Sequence, residues 1–67
     1  MKHELLLNKE FYTESDLQAA KAAYGSLADV KVSDAERYWE ISFSNCRYGG
    51  ERTVKEFENY MIGLANQ

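Results

Sequence analysis

Residues 28–44, "ADVKVSDAERYWEISFS", alternate twice between apolar and polar positions. In "ADVKVS", residues 28–33, Ala28, Val30 and Val32 fall on one side of an extended chain, and Asp29, Lys31 and Ser33 on the other. In "RYWEISFS", residues 37–44, the inward set is Trp39, Ile41 and Phe43. Two alternating runs joined by the turn-like "DAE" at 34–36 predict a β-hairpin with one apolar face. That face constrains everything else, because the flanking segments must cover it.

The flanks read as one further strand and two helices. "HELLLN", residues 3–8, suits a short strand with Leu5 and Leu7 on one face and Leu6 on the other. "TESDLQAAKAAYG", residues 13–25, reads as a helix. Thr13 is a good N-cap and Asp16 completes a box-like pattern, while Tyr12 and Leu17 hold the two positions of a hydrophobic staple. Leu17, Ala20 and Tyr24 form its stripe, which takes in Leu27 if the turn continues. Gly25 is expected to end it in the left-handed conformation that glycine adopts freely. Gly49 and Gly50 break the last strand. Residues 53–67 open with a capping box from Thr53 to Glu56 and carry Val54, Phe57, Met61 and Leu64 as an apolar stripe, with Gly63 weakening the final turn.

The element order is therefore β-α-β-β-α, without linker, repeat or low-complexity tract. A right-handed crossover gives a three-stranded sheet with two helices on one face, the third strand central and the first at an edge. The expected fold class is α+β, like a ferredoxin-like fold lacking its last strand, with residues 1–67 as a single domain. An open edge can recruit a strand from a second copy or from a peptide.

Composition removes several functions. A chain of 67 residues supports only a small core, and one cysteine forms no internal disulfide. His3 and Cys46 are its only soft ligands, and no metal-ligand spacing exists, so neither metal nor cofactor is expected. Of the usual supports, self-association, as a homodimer, is the one left open, and folding alone is the alternative. A net charge of −3 argues against nucleic-acid binding, which needs clustered Lys and Arg to displace counterions. Three consecutive leucines are too few for a signal sequence or a membrane span. A lone thiol fits a reducing compartment, so the expected location is cytoplasmic, with no membrane partner.

Chemistry-bearing residues are sparse. Cys46 has Arg47 beside it and Arg52 nearby, and positive charge lowers a thiol pKa. It lacks a resolving cysteine, and the only histidine is far away in sequence. A lone cysteine more often packs as a small apolar residue. "GGERT", residues 49–53, precedes a helix N-terminus that can hold an anion, yet it lacks the phosphate-loop pattern and reads as punctuation. No pair of carboxylates is spaced for acid–base work. The aromatic residues carry more weight. Alternation puts Tyr38, Ser42, Ser44, Cys46 and Tyr48 opposite the core, where Leu6 joins them, with Glu40 among the tyrosines. Such a face suits docking or dimerisation, and scattered surface aromatics are the plain alternative. Tyr60 and Met61 lie on the second helix where it flanks the core or meets a partner.

The stretch "FYTESDLQAAKAAYGSLADVKVS", then a strand pair, then "EFENYMI", resembles the small HxsD-type proteins of the His-Xaa-Ser peptide-modification systems. Those proteins have an aromatic at the end of a first strand, an Ala-Lys-Ala-Ala-Tyr-like helix, a hairpin and a closing helix. The likeness covers nearly the whole chain. It implies an accessory role beside a radical-SAM maturase and transfers no active site, since the family has no established catalytic residues.

The expected function is a non-catalytic accessory module that binds a peptide or protein partner, within a peptide-maturation system. Its interaction candidates are Leu6, Tyr38, Cys46, Tyr48, Tyr60 and Met61. The rival is a small cysteine-dependent redox protein or enzyme using Cys46. A nucleic-acid-binding domain comes third, disfavoured by the acidic charge.

Overall fold

The computed structural model describes residues 3–67. Its elements are β1 (His3–Asn8), α1 (Glu14–Tyr24), β2 (Asp29–Ala35), β3 (Tyr38–Ser44) and α2 (Gly50–Ala65). The strands form one sheet of order β1-β3-β2. Both pairings are antiparallel, so β1 and β2 run parallel with β3 between them. The α+β order and the central third strand match the sequence expectation.

The alternating pattern fixes which face is covered. Leu7, Val30, Ile41 and Phe43 from the strands, with Ala28 just before β2, join Leu17 and Ala20 of α1 and Phe57 and Met61 of α2 in one buried cluster. Leu5, Tyr12, Val32, Trp39, Val54 and Leu64 pack around it. Three rings run through the centre edge-to-face. Phe43 meets Phe57 at 5.1 Å between centroids, and Phe57 meets Tyr24 at 5.5 Å. Such pairs add about 0.5–1.5 kcal/mol each beyond their burial.

Helix α1 starts as its sequence predicts. Thr13 is extended (φ −89°, ψ 158°), and its hydroxyl oxygen accepts from the Asp16 N–H at 3.1 Å. Its end differs from expectation. Gly25 is right-handed (φ −61°, ψ −25°). The chain keeps winding, with the N–H groups of Leu27 and Ala28 both donating to the Tyr24 carbonyl. No reversal occurs at Gly25, so its freedom to turn left-handed goes unused.

The hairpin is tighter than "DAE" suggests. Ala35 pairs with Tyr38, which leaves only Glu36 and Arg37 in the loop. Glu36 carries the turn at φ 58°, a conformation that costs a residue with a Cβ about 1–2 kcal/mol. Both strands therefore reach the turn, and Asp34 belongs to β2.

Helix α2 begins four residues earlier than the Thr53–Glu56 pattern indicates. Its N-cap is Gly49, at φ 97°, without a side-chain cap. Thr53 lies inside the first turn and is buried at 4% exposure. Its hydroxyl donates to the Gly49 carbonyl at 2.8 Å, which satisfies it where water does not reach. Glu56 instead accepts from Arg52 Nε at 3.2 Å, an exposed pair of small weight.

Candidate functional site

The side of the sheet away from the helices is built from the positions between the core residues. The register places them in three cross-strand rows: Glu4–Ser42–Lys31, Leu6–Glu40–Ser33 and Asn8–Tyr38–Ala35. Leu6 is 58% exposed and Tyr38 is 43% exposed. The face is thus two apolar side chains set among serines and charges. Tyr38 also lines a cleft of about 570 Å³ with Asn8, Lys9, Glu10 and Arg37, where the hairpin turn passes the end of β1.

That corner is held rigidly. The Lys9 N–H donates to the Arg37 carbonyl at 2.9 Å. The Lys9 ammonium pairs with Asp34 and stands 4.5 Å from the Trp39 ring centroid. Trp39 Nε1–H donates to the Tyr12 carbonyl at 3.1 Å, which ties the chain entering α1 to β3. These contacts fix the wall on which Tyr38 sits. No local pattern in the sequence brings Asn8 and Lys9 beside Tyr38. A register is needed to bring residues 8 and 38 opposite each other.

Several candidates move. Strand β3 ends at Ser44, and Asn45 (φ 52°) turns the chain out of the alternation. The Asn45 side chain donates to Asp29 Oδ2 at 2.6 Å, and the Arg47 N–H donates to the Leu27 carbonyl at 2.9 Å. The second bond draws the loop back over the core. Cys46 therefore packs half-buried against the core cluster and does not stand on the outer face with Tyr38. Tyr48 is 66% exposed, on the loop before α2, apart from that face. Met61 is fully buried and has no surface to offer a partner. Tyr60 stays half-covered, edge-on to Tyr24 at 5.8 Å. Of the six candidates, only Leu6 and Tyr38 share the sheet's outer face.

Two titratable side chains sit at structural joints. The Tyr24 hydroxyl donates to the Glu56 carbonyl at 3.1 Å. Its pKa is raised above 10.0, first because burial penalises the phenolate, then through the charges of Glu56 and Tyr60. The His3 ring lies against Gly50 so closely that a Cβ there would fall 2.0 Å from it. Glycine at 50 lets the start of β1 and the start of α2 meet. It also leaves a ring beside the helix N-terminus that "GGERT" offered to an anion.

Among the described residues no group of three His, Cys, Asp or Glu side chains is arranged to hold a metal ion, and no helix is long and apolar enough to cross a membrane. No family model matches the chain, and no curated protein or solved structure matches it at a significant level.

Proposed function

We propose that this protein is a non-catalytic accessory module that binds a peptide or protein partner through the outer face of its sheet and the adjoining edge of β1. One observation carries this reading. β1 ends the sheet, and its Leu6 stands 58% exposed in the row beside Tyr38, next to a strand edge that pairs with no further strand among the described residues. A partner gains backbone hydrogen bonds at the edge and apolar contact on the face, the division of labour used in strand addition. The surrounding serines, Glu4, Glu40 and Lys31 supply a polar rim. The likeness to small proteins of peptide-modification systems agrees with an accessory role and suggests the first ligand to try.

The test is an NMR titration of the labelled protein with a synthetic peptide of His-Xaa-Ser repeats. Shifts are expected at Leu6, Glu40 and Tyr38, and Tyr38→Ser should abolish them. Shifts centred on Cys46, with rapid alkylation of its thiol in the folded protein, would favour the cysteine-dependent rival. No shift at any position would count against the peptide ligand.

A further inference from the structure

We propose that the β1 edge pairs with the β1 edge of a second copy, antiparallel, with Leu6 facing Leu6 across a two-fold axis. The result is one six-stranded sheet. This inference rests on the reading above and gives the edge to the second copy, which leaves the outer face around Tyr38 to a peptide partner.

The backbone sets which residues point outward. Lys9 and Arg37 continue the β1–β3 register, and the Lys9 N–H bonds to the Arg37 carbonyl. Hydrogen-bonded pairs alternate along an antiparallel ladder. Leu7, Leu5 and His3 thus bond inward to β3, and Glu4, Leu6 and Asn8 aim their amides at the free edge. Those three positions are symmetric about Leu6. In the pairing proposed, Leu6 exchanges two bonds with its own copy, and the Asn8 N–H donates to the Glu4 carbonyl opposite. The Asn8 carbonyl is already taken by the N–H groups of Phe11 and Tyr12.

The side chains agree with that register. Leu6 meets Leu6 on the outer face, and Leu5 meets Leu7 on the core face. Glu4 faces Asn8. The Asn8 side-chain oxygen accepts from the Glu10 N–H at 2.8 Å, so its NH₂ group is the end left to donate to the Glu4 carboxylate. A shift by two positions would set Glu4 against Leu6 instead and lose the match. The other edge of the sheet is defended. Asp29, Lys31 and Asp34 interrupt β2, whereas Leu5, Leu6 and Leu7 run unbroken through β1.

Helix α2 supplies the rest of the contact. Tyr24 of α1 touches Glu56, Phe57 and Tyr60, so α1 lies on that side of α2. The helical period turns Val54, Glu58 and Ile62 the opposite way, over the β1 edge, and Ile62 is 42% exposed. α2 starts beside His3 and runs along β1. Three residues of strand span about 10 Å, or roughly six to seven residues of helix, which brings the level of Leu6 between Lys55 and Glu58. The two-fold axis then sets Lys55 of each copy toward Glu58 of the other, an attractive arrangement in two acidic chains.

The test begins with sedimentation equilibrium of the pure chain. The expected mass is twice 7.7 kDa, and Leu6→Lys should return it to 7.7 kDa with an unchanged circular dichroism spectrum. In a Cys46→Ala background, Leu6→Cys should oxidise to a covalent dimer. Directly opposed residues lie about 5.5 Å apart at Cα, within disulfide range. Lys31→Cys, on β2, should not. A monomer at every concentration, or equal cross-linking from Lys31→Cys, overturns the proposal. The two readings fail separately. A monomer whose peptide binding is lost in Tyr38→Ser leaves the function intact, whereas a dimer that binds no peptide leaves only the self-pairing.

Discussion

The three strands send side chains to both faces of one sheet, and the two faces follow different rules. On the helix side Ile41 and Phe43 are fully buried and locked against Phe57 and Met61. On the other side their immediate neighbours Glu40 and Ser42 stand in rows with Leu6 and Lys31, with no element among the described residues packed over them. The difference is one of position in a period-two chain, since a single step along β3 moves a residue from the core to the surface. It teaches that stability and the proposed recognition fall to interleaved residues of the same strands. Substitutions can therefore separate them.

The comparison predicts a steep gradient of effects. Phe57→Ala, at the centre of the covered face, should cost about 3–5 kcal/mol, comparable with the whole net stability of a domain this small. Urea unfolding should find it mostly unfolded in buffer, and an unchanged midpoint would break the comparison at its base. Trp39→Phe keeps an aromatic ring but loses the hydrogen bond to Tyr12 and weakens the seat of Lys9. It should cost about 1–2 kcal/mol in the same assay. Glu36→Gly acts in the opposite direction. It relieves a positive φ in the hairpin turn and should stabilise by up to about 1 kcal/mol, with a raised melting temperature.

Smaller effects sharpen the boundary between the faces. The Tyr24 pKa is raised in the folded state, so as pH rises the unfolded chain ionises first. The contribution of Tyr24 is intact below pH 10.0 and is lost as pH climbs through the raised folded value. Melting curves of the native chain should therefore fall more steeply above that pH than those of Tyr24→Phe, and parallel curves would contradict the shift. Last comes Tyr38→Ser on the outer face, which should change stability by no more than about 0.5 kcal/mol while removing partner binding. A large loss of stability there would mean that the outer face is structural after all.

Much of the fold was legible in residues 28–44, because alternation names both a strand and its buried side, whereas the three consecutive leucines of residues 3–8 name a strand and leave its buried side to the pairing with β3. Thr13 was legible as well, since a cap is a local bond between residues three apart. Thr53 misled for the same reason in reverse. The same local pattern occurs there, but Gly49 starts the helix earlier and Thr53 turns inward to bond its carbonyl. Cys46 was placed wrongly because alternation holds only while the chain stays extended, and Asn45 ends it. The bond from Arg47 to Leu27, which draws Cys46 over the core, joins residues twenty apart and leaves no local signal. The corner around Tyr38 was hidden likewise, since Lys9, Trp39 and Asp34 meet only through the pairing of three strands.

The sequence by itself determined the order of elements, the covered side of β2 and β3 and the apolar stripes of both helices, because these follow from periodicity and local bonds. Tertiary structure alone decided where β3 stops, which way Cys46 turns, and which strand β1 pairs with and in what register. Those depend on register and on bonds between distant residues, and neither is written in any short stretch of the chain.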